Sequence, residues 1–241
     1  MTKQELDRHI EAAQLLDRIM TDAFKYISEN KESATEFEVQ QFIIQRFDEA
    51  GLVSDAEPPI VAFGPNTRHI HYFPEKESRT LQKGDLILID IWAKLSGENP
   101  YADITCMGYF GDSIPSEINE IVELVFGARD RAIKFLKDNL KKKTIPTGGR
   151  TDWAARDYFG DHKERFGHTL GHSLGFDSPH GKLGRLGPGV EEILRKNVGY
   201  TIEPGLYFDL FGARSEIDFY IDEDEKLIIT TRVQKKLVII N

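Results

Sequence analysis

A single cysteine, Cys106, stands among 241 residues, so no internal disulfide can form. A chain of this size does not need one, because 40% of it is apolar and can supply a substantial core. One thiol suits a reducing compartment, and a cytoplasmic setting is expected. Cys106 itself reads as a small buried hydrophobe rather than a nucleophile. Long apolar runs are also missing. Nothing approaches the roughly 18 residues of a membrane span. Met1 to Met20 is charged and amphipathic rather than a basic stub before an apolar core, so a soluble, unexported protein is expected. Basic charge is scarce: 31 Lys and Arg against 40 Asp and Glu leave a net −9, which argues against nucleic acid or an anionic membrane as partner. No internal repeat or low-complexity linker divides the chain, so one domain over residues 1–241 is expected.

Periodicity supplies the elements. Leu6, Ile10, Ala13, Leu16, Ile19, Met20, Ala23, Phe24 and Ile27 recur at helical steps and predict an amphipathic helix from Lys3 to about Ser28. A second helix is expected from a Thr35–Glu38 capping box to Gly51, packed on the first as a hairpin. Residues 60–73 and 85–110 read as strands of an antiparallel sheet. A third helix is expected from Ile118 to about Leu140, closed by Lys141, Lys142 and Lys143 at the negative end of its dipole. A short fourth is expected to follow a cap at Thr151 and to reach Phe159. Strands are expected near 199–208 and 213–221, with a closing strand or hairpin over 226–240. Helices then strands, twice over, predict an α+β fold of two similar halves sharing a helix-covered sheet.

Acidic residues recur where strands are expected. Asp90, Asp103, His172, Glu203 and Glu216 all fall in or beside such segments, as in the run Leu88-Ile89-Asp90-Ile91-Trp92. Carboxylates disfavour strand interiors and resist burial without a partner, so several of them call for compensating positive charge. A pair of divalent cations is the simplest source. Four carboxylates and an imidazole suit manganese, iron, cobalt or zinc, and two such ions can activate a water and polarise a carbonyl together.

The order of these blocks resembles the pita-bread metallopeptidases: methionine aminopeptidase, Xaa-Pro aminopeptidase, prolidase and their metal-free relative creatinase. The matching segments are Leu-Ile-Asp90-Ile, Ala-Asp103-Ile-Thr105, Gly171-His172-Ser173-Leu174-Gly175, Thr201-Ile202-Glu203-Pro204-Gly205 and Arg214-Ser215-Glu216. The resemblance implies the pita-bread fold, two pseudo-symmetric halves with a curved antiparallel sheet covered by helices, here as a catalytic domain without the creatinase-like N-terminal domain. It implies Asp90 on one metal, Asp103 and Glu216 bridging both, and His172 with Glu203 completing the other site. Manganese is the favoured ion, with cobalt, zinc or iron admissible. Glu203 would take the proton of the attacking water. His71, His168 and His180 resemble the family's substrate-side histidines, with His69 the weaker match to the first. Arg214 resembles an arginine that orients the site. The implied partner is a short peptide losing its N-terminal residue, and a homodimer is admitted.

Departures from the family pattern define further expectations. The aspartates lie 103 − 90 = 13 residues apart, two more than usual, with Gly97-Glu98-Asn99-Pro100 widening the turn. An even insertion keeps both carboxylates on one strand face. Thr105-Cys106-Met107 replaces the usual Thr-Arg-Thr and removes a positive group near the site. Pro179 lengthens the interval from His172 to His180 by one residue, and Trp92 stands where glycine is common. The glutamates lie 216 − 203 = 13 residues apart, which with the Arg-x-Glu context favours the Xaa-Pro branch over methionine aminopeptidase, where that interval is generally longer. A silent relative that binds a peptide or protein partner, or a metal-free creatinase-like hydrolase, has no need for the full ligand set.

Overall fold

A computed structural model describes all of residues 1–241. Helix α1 spans Lys3–Glu29 and α2 spans Glu36–Glu49; each opens on a reciprocal capping box, Thr2 with Glu5 and Thr35 with Glu38. Strands β1 (Leu52–Val53), β2 (Ile60–Phe63), β3 (Leu86–Leu95) and β4 (Ala102–Phe110) follow. The sheet order is β1-β3-β4, with β2 pairing antiparallel to β3. The expected strand over 60–73 ends at Phe63, because Pro65 at the start of a 3₁₀ turn over Gly64–Arg68 cannot continue a ladder. Gly64 makes that turn at φ +50°, where an added Cβ would meet the Asp85 carboxylate at 2.3 Å.

Helix α3 (Ser116–Lys141) leads to α4 (Gly148–Arg156) and a 3₁₀ segment over Asp157–Arg165. The cap of α4 is Thr147, whose hydroxyl accepts from the Arg150 amide, and not Thr151, whose hydroxyl bonds back to the Thr147 carbonyl. Two glycines after Thr147 hid this start, since they carry no side chain for a helical pattern.

The second half adds β5 (Gly171–Leu174), β6 (His180–Leu186), β7 (Gly199–Ile202), β8 (Gly205–Tyr207), β9 (Gly212–Arg214), β10 (Ile217–Ile221) and β11 (Leu227–Ile229). Five of these form a sheet in the order β11-β10-β7-β5-β6, while β8 and β9 form a separate ribbon. The closing segment is not a hairpin: β11 pairs with β10, but β12 (Val238–Ile240) crosses back to lie parallel on β4 of the first half. The curved sheet is thus two hydrogen-bonded sheets that abut at β4 and β10. No helix is long and apolar enough to cross a membrane.

Alternation along β3 and β4 decides which face does what. Ile87, Ile89, Ile91 and Ala93 of β3, with Ala102, Ile104, Cys106 and Phe110 of β4, point to α1 and α2 in one apolar cluster. Asp90 and Trp92, with Asp103 and Thr105, take the opposite face toward the second half. One helix residue reaches across to the other end of the sheet. His9 of α1 is fully buried, its Nδ1 2.9 Å from the Tyr101 carbonyl and its Nε2 2.7 Å from Thr230 Oγ1. Burial lowers its pKa to about 4, against the raising effect of the Tyr101 bond. The unfolded chain therefore takes up a proton near pH 6.5 while the folded chain resists to about 4, so stability falls as pH drops through that window. The gap corresponds to about 3 kcal/mol. In urea titrations at pH 7, 5 and 4, His9→Gln is expected to lose less stability with acid than the unchanged chain; identical slopes would rule this account out.

Candidate active site

Nine side chains singled out in the sequence meet in one cavity of about 360 Å³: His71, Asp90, Asp103, His168, His172, His180, Glu203, Arg214 and Glu216. The cavity lies where the two halves abut. In the β3–β4 ladder Asp90 faces Thr105 and Trp92 faces Asp103, so the thirteen-residue interval leaves both carboxylates on the site face. The widened turn also has a place. Tyr101 donates to the Gly175 carbonyl at 3.0 Å and the Lys94 ammonium bonds the Phe176 carbonyl, so this hairpin supports the loop that leads to His180. The extra residue at Pro179 leaves the His180 ring 4.2 Å from that of His172, centroid to centroid.

Asp103, His172 and Glu216 form the tightest group, with one ligand atom from each inside a 4.8 Å sphere of mutual distances. Glu203 joins from the side, its Oε1 3.4 Å from His172 Nε2. Asp90 is held apart by Arg214, whose Nη2 lies 2.6 Å from Asp90 Oδ2. The site binds the halves together: the Asp103 amide donates to Asp218 Oδ2 at 2.8 Å, and Thr105 Oγ1 donates to Glu216 Oε2 at 2.8 Å.

The electrostatics follow from burial of like charges. Burial raises the Asp103 and Glu216 carboxyls well above their ordinary range; neighbouring carboxylates add to this and Arg214 opposes it. Glu203 is pushed up to about 8 by burial, against Arg214. Asp90 Oδ1 and Asp103 Oδ1 are buried with no hydrogen-bond donor. Unpaired buried oxygens of this kind cost several kcal/mol each unless a cation serves them. Burial lowers His172 to about 3, leaving the neutral ring a metal ligand requires. Its Nδ1 faces only the Ser173 carbonyl at 3.1 Å, so Nδ1 carries the proton and the Nε2 lone pair points at Asp103 and Glu203. The donor set and the unpaired oxygens fit divalent cations.

The substrate-side histidines separate into two kinds. His168 has both nitrogens engaged: Nδ1 with the Thr169 carbonyl at 2.8 Å, and Nε2 with the Tyr207 hydroxyl at 2.9 Å. Tyr207 in turn accepts from Arg214 Nη1 at 3.0 Å, so one chain of bonds runs Asp90, Arg214, Tyr207, His168. His71 and His180 are exposed, come from the first and second halves of the fold respectively, and make no side-chain hydrogen bond. The segment carrying His71 is pinned from α2, where buried Glu36 accepts from the Phe63 amide at 2.7 Å and the Tyr72 hydroxyl at 2.7 Å. His69 lies off the cavity, its Nε2 3.2 Å from Arg68 Nε.

Sequence reasoning missed several participants. Asp218 is fully buried, and it follows Glu216 by two residues, a spacing that could have flagged it. Tyr207 gave no such signal. Asp152 of α4 pairs with Arg156 at 2.9 Å, and Arg156 Nη2 donates to the His168 carbonyl at 2.9 Å, which fixes the backbone of that histidine. Arg185 lies opposite His172 in register, and Glu57 stands at the mouth. The positive charge missing at Cys106 is not restored there, since Cys106 faces the helices. Fully buried Arg129 of α3 instead reaches the segment beside Glu216, donating to Ser215 Oγ at 2.7 Å.

Known proteins are similar to this chain in sequence and fold. An uncharacterized peptidase of Methanocaldococcus jannaschii is 32% identical over 91% of this chain and 59% of its own length. The Xaa-Pro dipeptidase of Pyrococcus furiosus is 29% identical over 92% of this chain and 60% of its own. The crystal structure of the X-Pro aminopeptidase of Thermotoga maritima superposes with a TM-score of 0.86 at 27% identity, covering 99% of this chain and 64% of that one. The chain thus spans about three-fifths of the length of these relatives, and it shares the pita-bread architecture of paired α+β halves with the Thermotoga structure. With residues 7–223 matched by the model of metallopeptidase family M24, the chain belongs to that family.

Proposed function

We propose that residues 1–241 form a single catalytic domain that removes the N-terminal residue of short peptides with the help of two divalent metal ions, in the manner of Xaa-Pro peptidases. The observation that carries this reading is the convergence of Asp103, His172 and Glu216, with Glu203 and Asp90 beside them, in a cavity where two carboxylate oxygens have no other partner. The named activities of the Pyrococcus and Thermotoga relatives support the Xaa-Pro branch, as does the thirteen-residue spacing of the glutamates.

Asp90, Asp103, His172, Glu203 and Glu216 would hold the ions, with manganese favoured. Bound there, such ions lower the pKa of a water and polarise a carbonyl. Glu203, with its Oε1 3.4 Å from His172 Nε2 inside the cavity, would accept the proton of the attacking water and return one to the leaving amine. His71 and His180, lining the cavity with free ring nitrogens, donate to the peptide carbonyl and its developing charge. Arg214 and Tyr207 fix Asp90 and His168 in place, so His168 shapes the wall and its donor capacity stays within the protein.

The test is a panel of Met-Xaa, Xaa-Pro and Xaa-Pro-Yaa peptides assayed with manganese, cobalt and zinc. Metal-dependent release of the first residue from the proline-containing peptides is expected. Cleavage of Met-Ala-type peptides alone would move the chain to the methionine aminopeptidase branch. Tight peptide binding without cleavage under every metal would leave a silent binding protein.

A further inference from the structure

The cavity has polar walls except at one corner. Ile60, Ile70 and Trp92 are its large apolar lining residues, and two of them, Ile60 and Trp92, flank Asp90. The ladder explains this: Ile60 is the register partner of Asp90 and Trp92 lies two residues along β3, so all three share the site face. Trp92 is also immobilised. Its indole N–H donates to Asp55 Oδ1 at 2.8 Å and its carbonyl accepts from Ser54 Oγ at 3.0 Å, and only 6% of the residue is exposed. A ring fixed at its polar edge cannot swing aside, so it sets a hard limit on that end of the pocket.

The lining carries one exposed charge from each half of the fold: Glu57, three residues before Ile60 in the lead-in to β2, and Arg185 on β6, in register with His172. A short zwitterionic peptide lying across that field places its amine toward Glu57 and its carboxylate toward Arg185. We infer that the Ile60–Trp92 corner receives the side chain of the substrate's N-terminal residue, and that Trp92, braced by Asp55, is the specificity-determining wall that favours small apolar residues over large aromatic ones. This rests on the peptidase reading above.

The experiment joins a selectivity measurement to one that needs no turnover. Trp153, the other tryptophan, is exposed on α4 away from the cavity, so Trp153→Phe leaves Trp92 as the sole emitter. Titrating Ala-Pro and Phe-Pro into that manganese-loaded chain is expected to give a saturable change in Trp92 emission, at lower concentration for Ala-Pro. In the otherwise unchanged chain, Trp92→Gly is expected to raise kcat/KM for Phe-Pro relative to Ala-Pro by roughly tenfold or more. Asp55→Ala, which releases the indole without removing it, is expected to move the ratio the same way by less, and it keeps the test open where the glycine variant does not fold. An emission spectrum unmoved by either peptide overturns the inference, whether or not peptides are cleaved. So does a selectivity ratio unchanged in the folded variants. A saturable Trp92 response without cleavage keeps the inference and sinks the hydrolytic reading instead.

Discussion

Replacing Asp103 with asparagine is expected to remove peptidase activity by a factor on the order of 10³ or more, while making the metal-free chain more stable. Residues that only support a metal ligand typically cost 10–100-fold when changed, so loss of a ligand at the centre of the cluster should exceed that. Asp103 occupies such a position: it lies with His172 and Glu216 inside 4.8 Å, and its Oδ1 has no donor. The stability side follows from the same geometry. Without metal, Asp103 is buried among Asp90, Asp218 and Glu203, and its carboxyl is forced well above its ordinary range, first by burial and then by those charges. Keeping such a group in the fold at neutral pH opposes folding, whether it stays ionised or takes up a proton. Asparagine keeps the shape and the backbone bond to Asp218 but lifts that penalty. A gain of about 1 kcal/mol would raise Tm by about 2–4 °C in a chain of this size. The check is thermal unfolding with chelator alongside manganese-dependent turnover. Activity within tenfold of the unchanged chain would remove Asp103 from the ligand set. A metal-free Tm that falls with the activity would show that Asp103 acts only as a structural support.

The parts of this molecule legible in the sequence were those governed by a fixed period. Helical spacing located α1 to within a residue or two of Lys3–Glu29. Two-residue alternation placed Asp90 and Asp103 on one face despite the longer turn. Less legible were features set by meetings between distant segments. A break in register between His172 and Leu174 lets His180 and Arg185, an odd number of positions apart, both reach the cavity, so alternation along β6 misleads. The closing segment reads as a strand or a hairpin because alternation cannot distinguish an antiparallel neighbour from a parallel one 130 residues upstream; the structure gives a strand, with Val238 opposite Gly108. Tyr207 and Arg129 were silent for a similar reason: a tyrosine and an arginine carry no local signature of whose hydroxyl or carboxylate they will meet. The His168 bonds came from the same source. The family resemblance implied a substrate contact for His168, and the fold engages both of its nitrogens with Thr169 and Tyr207.

Divalent metal is expected to stabilise this protein, and by more at pH 8 than at pH 6.5. Glu203 has its pKa raised to about 8 by burial, and burial with neighbouring carboxylates raises Asp103 and Glu216 well above the ordinary carboxylate range. In the unfolded chain these groups lose their protons near pH 4, so from there up to the folded pKa the folded state holds more protons than the unfolded one. Stability of the metal-free chain therefore falls as pH rises through that range. The lowered histidines act with the opposite sign: His9, His168 and His172 cost stability as pH falls through about 6.5, where the unfolded chain takes up protons that the fold refuses. The two trends oppose each other up to roughly pH 7.5, where the unfolded imidazoles have given up most of their protons, and above it the carboxyls act alone. Metal reverses their effect by replacing the bound protons, so its affinity grows with pH and protons are released on binding. At a hundred times its dissociation constant an ion binding only the folded state adds about 2.7 kcal/mol, or about 5–10 °C in Tm for a chain of this length. Scanning calorimetry at pH 6.5, 7.2 and 8, with chelator and with manganese, should show the metal-free Tm declining and the metal-induced gain widening. Calorimetric titration of manganese in two buffers of different ionisation enthalpy should report the proton release directly. A metal-free Tm flat across that window, with a gain independent of pH, would mean that the buried carboxyls are not the groups that receive the ions.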